Sequence, residues 1–184
     1  MPDCASPEQI ANVVMEGLAA GHPVEIDALG VFYPDPTRGF RFEPRTLQRV
    51  FIAYVREDAA AAQALYHELE ISGFRPWMDV RDLLPGQNWP RAIECAIETA
   101  DFFVPCFSAN SVSKKGGFQA EIRYALDCAR HVPLDEIFLV PVRLDRCSVP
   151  RSIARECQYM DLFPDWDRGV RRLIAMMRKQ SRAR

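Results

Sequence analysis

The sequence predicts an α/β protein with a parallel sheet covered by helices on both faces. Three observations carry this. Short apolar runs such as VFIAY and FFVPCF alternate with longer stretches of helical periodicity. The apolar runs are near-continuous rather than alternating, the pattern of strands buried on both faces. Caps and breakers such as Asp58, Gly73 and Pro90 separate the segments.

Taken in order, residues 7–20 read as a helix (EQIANVVMEGLAAG) stopped at Gly21. Two strands are expected next, in PVEIDALGVFY and GFRFEP, and a Pro/Gly-punctuated stretch then ends near residues 44–48. Residues 1–46 are therefore expected to form a small helix–hairpin extension, and residues 47–184 the main domain. The first strand of that domain spans 50–54. Asp58 is placed to cap a helix to about residue 71, with Ala61, Leu65 and Leu69 facing inward, and Gly73 ends it. A strand at 74–78 follows, then a loop, DVRDLLPGQN. Residues 89–99 form a helix with Pro90 in its first turn. Strand 101–107, helix 118–130 and strands 137–142 and 158–161 come next. The last helix is 166–179, with Val170, Leu173, Ile174 and Met177 on one face.

Right-handed crossovers and five strands suggest the flavodoxin-like order 2-1-3-4-5. Ligands in such sheets bind beyond the carboxyl ends of the strands, where the winding reverses. That rule points to residues 54–58, Asp79 and Ser108.

The 184 residues carry a net charge of −2, so the chain as a whole does not have the basic balance of a nucleic-acid binder. Residues 1–46 hold seven acids and three bases. No apolar run reaches the length of a membrane span, and no basic start leads into an apolar stretch, so a cytoplasmic location is expected. The six cysteines form no C-x-x-C pair, and the three histidines are scattered, so neither a metal site nor a disulfide frame is expected. The cysteines read as small buried hydrophobes. Dinucleotide, P-loop and nucleophile-elbow motifs are absent. A phosphorelay receiver would end its third strand in an acceptor aspartate, whereas this strand ends Cys106-Phe107-Ser108.

Several boxes in order resemble Toll/interleukin-1 receptor (TIR) domains, most closely the bacterial branch. They are VFIAYVRED, WMDVRDLLPGQNW, IECAIETADFFVPCFSANSV, GGFQAEIRYAL and IFLVPVRLD, then a closing helix after DLFPDW. The resemblance covers about residues 49–179. Related TIR domains that consume NAD place a glutamate where Glu121 stands, and the resemblance implies that Glu121 acts on the nicotinamide–ribose bond. The chemistry suits one carboxylate: the base departs neutral and leaves an oxocarbenium-like ribose that a fixed anion stabilises. NAD would be a substrate, with no cofactor or metal.

Supporting substrate contacts follow from position, with Tyr54 and Arg56 just past the first strand. Tyr54 would stack on a ring, and Arg56 would pair with pyrophosphate. Asp79 either joins the site or ties down the loop. Ser108 either bonds the ribose or caps the following turn. Phe118 is the aromatic near Glu121 where relatives often carry Trp, and Val55 departs from a common polar residue. Either Pro85-Gly86 is simply a tight turn, or Leu83, Leu84 and Pro85 form an apolar knob, within an assembly loop that includes Gly86 and Trp89, for self-association or for binding another TIR domain. A head-to-tail contact of this kind builds open filaments.

Residues 1–46 weakly resemble part of an HU/IHF-like fold. The basic arm of that fold is replaced by YPDPTR, so this segment is read as a docking element for a partner protein and not as a DNA binder. Two functions follow: an NAD glycohydrolase or ADP-ribosyl cyclase activated by assembly, or a non-catalytic TIR adaptor. A nucleoside glycosyl-transfer enzyme is a third. The implied setting is bacterial defence or interference with host signalling.

Overall fold

A computed structural model of the protein describes residues 6–26, 29–44, 47–112, 116–133 and 135–181. The chain divides into two compact units, residues 1–47 and 48–184. Residues 45 and 46, at the expected junction, lie outside the described residues.

In the first unit, α1 (Pro7–Ala19) starts in a capping box. The Ser6 hydroxyl accepts from the Gln9 N–H at 3.3 Å, and the Ser6 N–H donates to Gln9 Oε1 at 2.7 Å. Strands β1 (Val24–Ile26), β2 (Gly30–Asp35) and β3 (Gly39–Pro44) form one antiparallel sheet in that order. The sequence suggested two strands here. The first is split by a reversal in which the Leu29 N–H bonds to the Ile26 carbonyl at 3.1 Å. At the second reversal, Asp35 Oδ1 accepts from the Thr37 hydroxyl at 2.6 Å, the Thr37 N–H at 2.8 Å and the Arg38 N–H at 3.0 Å, which holds that carboxyl below its usual range. Gly39 then takes a φ of 83°, open to glycine without strain.

The second unit is an α/β sandwich. Its elements are β4 (Arg49–Ala53), α2 (Ala59–Ile71), β5 (Arg75–Trp77), α3 (Asp79–Asp82), α4 (Trp89–Glu98), β6 (Phe102–Phe107), α5 (Ala109–Val112), α6 (Gly117–Ala129), β7 (Val142–Arg143), α7 (Arg151–Glu156), β8 (Met160–Asp161) and α8 (Trp166–Ser181). All pairings are parallel, in the order β5-β4-β6-β7-β8, which is 2-1-3-4-5 within the unit. Alternate side chains face opposite ways. Val50, Ile52, Val104 and Cys106 pack with Leu65 and Leu69 of α2 and Leu173 and Met177 of α8. Phe51, Ala53, Phe103 and Phe107 pack with Ile97 of α4 and Phe118, Ile122 and Ala125 of α6. Each fully buried side chain of this size contributes about 1.5–3 kcal/mol. That supports the sheet from both sides and holds α4 and α6 as fixed platforms.

Several local expectations are corrected. The strand expected at 137–142 narrows to β7 plus a single Phe103–Leu139 bridge. Pro141, which has no N–H to give, interrupts the ladder, though its carbonyl accepts from Met160 N–H at 2.9 Å. The loop after the second strand opens with the helical turn α3. Helices α5 and α7 were not foreseen. Asp58 stands at the start of α2 but makes no side-chain cap bond; its carboxylate is used elsewhere. Cys95 is exposed, against the expectation of burial.

Candidate active site

Tyr54 follows β4 directly, and a short 3-10 turn, Arg56–Asp58, leads on to α2. The Tyr54 hydroxyl donates to Asp79 Oδ1 at 2.7 Å, and the same oxygen accepts from the Val80 N–H at 2.7 Å. Asp79 thereby ties the start of α3 to the end of the first strand of the sheet. Burial raises the Tyr54 phenol far above its ordinary value. The Asp79 hydrogen bond and the charges of Asp79 and Glu121 push the same way, and Arg56 opposes them.

Glu121 stands in the second turn of α6, partly buried. Its carboxyl is pushed up to about 7, first by burial and then by the negative charge of Asp79. Burial disfavours the charged form, and a neighbouring anion adds to the penalty. Gly117 lies one turn earlier on the same face, and a Cβ there would stand 3.9 Å from Glu121 Oε1. The glycine keeps the space beside the carboxylate open. Tyr54, Asp79 and Glu121 thus form one electrostatic cluster, with the exposed Arg56 beside it.

Two of the expected substrate residues sit differently. Ser108 is 1% exposed. Its hydroxyl donates to the Asp58 carboxylate and accepts from the N–H groups of Asn110 and Ser111, each at 3.1 Å. Asn110 Nδ2 donates to the other Asp58 oxygen at 2.8 Å, and Asp145 accepts from the Ala109 N–H at 2.9 Å. Ser108 therefore braces the turn beyond β6 and presents no hydroxyl to a ligand. Phe118, 7% exposed, packs edge-on against Phe107 with ring centres 5.7 Å apart. It is a core residue, packed into the cluster with Phe107, whereas Glu121, three residues on, is only partly buried.

The sequence reading missed Asp58 as a buried carboxylate, because its partners lie about 50 residues away and share no local pattern with it. It also missed a groove of about 590 Å³ between α4 and α6, to which Glu121 contributes. In the segment after α3, Leu84 is 62% and Trp89 63% exposed, Leu83 is half-buried, and Pro85 and Gly86 are exposed. The turn holds itself: Gln87 Oε1 accepts from the Leu84 N–H at 3.0 Å, the Gln87 N–H returns to the Leu84 carbonyl at 3.1 Å, and Gly86 takes a φ of 88°. Among the described residues no group of three or more potential metal ligands gathers, and no helix is long and apolar enough to cross a membrane.

Comparison with known proteins agrees with this architecture. The TIR domain family model matches residues 50–174. The protein y4cD of Sinorhizobium fredii (strain NBRC 101917 / NGR234) is 24% identical over 176 residues, covering 94% of this chain and 27% of that protein. The chain thus spans about a quarter of that relative, and the match is too long to leave out the first unit. The TIR domain of the Toll-related receptor TRR-2 of Hydra magnipapillata superposes with a TM-score of 0.57 at 23% identity, covering 70% of this chain and 97% of that one. The CMP N-glycosidase BcmB of Clostridium botulinum superposes with a TM-score of 0.50 at 17% identity, covering 68% of this chain and 97% of that one. At these identities the two superpositions speak for the fold alone. The match from β4 into α8, on a parallel sheet of this order, places the chain in the TIR domain family.

Proposed function

We propose that the TIR unit cleaves the bond between nicotinamide and ribose in NAD, with Glu121 as the catalytic carboxylate. The observation that carries this reading is the carboxyl of Glu121, partly buried beside Asp79 and pushed up to about 7. A group poised near neutrality suits general-base work, and perturbed groups of this kind gather at functional sites. The fold likeness to an N-glycosidase, a protein that by its name breaks a base–sugar bond, is consistent with the same class of chemistry.

The step balances simply. The C1′–N bond breaks and its electron pair neutralises the pyridinium nitrogen, so nicotinamide leaves without protonation. Ionised Glu121 stabilises the oxocarbenium-like ribose and takes the proton of the attacking water, giving ADP-ribose. The positive charge of the bound substrate favours the ionised form of Glu121 when it is needed. Arg56 would hold the pyrophosphate, and Tyr54 with Asp79 would form the wall. No metal or cofactor takes part in this scheme, and NAD enters as substrate.

The exposed Leu84 and Trp89 favour self-association as the activating event and also support a second reading, a non-catalytic adaptor that binds another TIR domain through this loop. Residues 1–46 would dock a partner protein. The setting would be bacterial defence or signalling, in the cytoplasm. The deciding experiment is nicotinamide release from NAD across a range of protein concentrations. Release that rises with concentration and is lost in Glu121→Gln supports the enzyme. No release at any concentration, with self-association that Pro85→His abolishes, selects the adaptor.

A further inference from the structure

The first unit has little core for its size. Among the described residues, Val14 and Leu18 of α1 are its only buried hydrophobic side chains, whereas both apolar clusters that flank the five-stranded sheet lie in the second unit. The first unit ends at residue 47, and a domain this short seldom buries enough apolar surface to stand alone. Its sheet nevertheless has an apolar face and a polar one. Val24, Phe32 and Phe42 lie opposite one another across the three strands, and Phe40 shares their side. The Phe32 ring packs against Phe42 and Phe40, with centres 4.6 Å and 5.5 Å apart. The other face carries Glu25, Tyr33, Arg41 and Glu43, with Arg41 paired to Glu43 at 2.7 Å. One helix covers only part of the apolar face. α1 packs on β1 and β2, and Gly17 lies so close to Val24 that a Cβ there would collide with the valine side chain. Residues two apart on a helix point about 200° apart, so Met15 is turned away from β1, to the side on which β3 lies. That side is open: Met15 is 62%, Phe40 46% and Phe42 37% exposed.

We infer that this open part of the face pairs with the same surface on a second copy of the chain. A two-fold contact sets a patch against itself, so a patch that is apolar throughout is its own complement, and the contact closes at two copies. The area is sufficient. Met15, Phe40 and Phe42, with the half-buried Phe32 beside them, expose roughly 300 Å² per copy, so a pair removes about 600 Å² of apolar surface from water. Apolar atoms make up somewhat more than half of a specific interface, so the whole contact reaches the ~1,000 Å² that such an interface needs. Each copy thereby gives the other the second apolar layer that its own α1 supplies only over β1 and β2. Charge works mildly against the pair. Residues 1–46 carry seven acids and three bases, so two such units repel, and salt that screens the repulsion favours pairing. The pairing does not depend on the NAD reading. Where that reading holds, the pair keeps two TIR units at high effective concentration, and contact through the Leu84–Trp89 loop begins at lower protein concentration.

The test is sedimentation of the whole chain from low to high micromolar concentration. The expected result is a monomer–dimer equilibrium that Met15→Glu and Phe40→Glu each weaken about tenfold or more, because each puts a pair of carboxylates into the contact. Met15 is the more exposed of the two and sits on the helix surface, so its variant tests the contact with the unit still folded. Pro85→His should remove growth beyond the dimer and leave the dimer itself, and added salt should strengthen it. A monomer at every concentration, a dimer indifferent to Met15→Glu, or a dimer that Pro85→His abolishes overturns the pairing. A dimer that salt dissolves also overturns it, and selects instead an acidic first unit meeting residues 47–184 of another copy, which carry eighteen acids and twenty bases. The enzyme reading fails separately, since a dimer of this kind without nicotinamide release keeps the contact and removes the NAD reaction.

Discussion

Asp58 and Glu121 are carboxylates drawn from the turn after β4 and the face of α6, and the protein treats them differently. Asp58, 9% exposed, receives a donor on each oxygen, Ser108 on one and Asn110 on the other. Those donors come from the turn after β6, so the carboxylate joins the ends of two neighbouring strands. Glu121 is partly buried beside another anion, and its carboxyl is pushed up to about 7. A buried carboxylate that is met by donors works as a brace. One that is desolvated next to a like charge holds free energy that a cationic ligand releases, and its place in the fold costs stability.

The largest expected effect comes from Glu121→Gln under the NAD reading. Nicotinamide release should fall about a thousandfold or more, roughly 4 kcal/mol of barrier, while the fold is kept. Asp58→Ala should do the opposite kind of damage. It leaves Ser108 and Asn110 without their buried acceptor, and urea unfolding should show a loss of about 2–4 kcal/mol. If Asp58→Ala unfolds at the same urea concentration as the parent, the brace is not one and the contrast collapses.

A third expectation concerns pH. The Glu121 carboxyl lies near 7 folded against an ordinary 4.5, so the folded state holds a proton that the unfolded state has already lost between those values. Its contribution to stability is thus present below about 4.5 and is lost as pH rises through about 7. Glu121→Gln removes that dependence. Its stability relative to the parent should rise by about 1–3 kcal/mol between acid and mildly alkaline solution. Under the NAD reading, kcat/KM of the parent should increase through about 7 as the carboxylate forms. A variant that tracks the parent at every pH would show that this carboxyl is not the titrating group.

The sheet was readable because its signals are local. VFIA and FFVPCF are continuous apolar runs, and Gly73 and Pro90 punctuate them. The place of Glu121 came from motif order and not from periodicity, which says only that α6 has a buried face. The sequence leaves Ser108 open between a ribose contact and a cap of the following turn, and points to Phe118 as a ligand group, because sequence position marks the end of a strand or the turn of a helix but not the direction of a side chain. Whether Ser108 faced a ligand or Asp58 depended on a contact 50 residues away in sequence. Phe118 lies on the same helix as Glu121 but turns toward Phe107. Pro141 carried a readable warning, since a proline inside an expected strand removes a ladder donor. The α4–α6 groove had no sequence signal at all, because it forms only when two helices far apart in the chain lie side by side.

The smallest effect sharpens the comparison at Asp79, the residue that loads Glu121. Tyr54→Phe deletes one hydrogen bond to Asp79 and leaves the ring in place, so global stability should fall by only about 0.5–1.5 kcal/mol. The local consequence is more specific. Asp79 opens α3, a single helical turn that continues into the Leu84–Gln87 turn, so the lost tether should let this segment open more often. Hydrogen exchange at the amides of Val80 to Leu83 should quicken about twofold to tenfold, while those of Asn110 and Ser111, on the Asp58 brace, keep their protection. Unchanged exchange at Val80 to Leu83 would mean that Tyr54 only packs beside Asp79. Equal acceleration at both places would mean that the two carboxylates belong to one cooperative unit, and their different treatment would then be a matter of chemistry alone and not of separate mechanical supports.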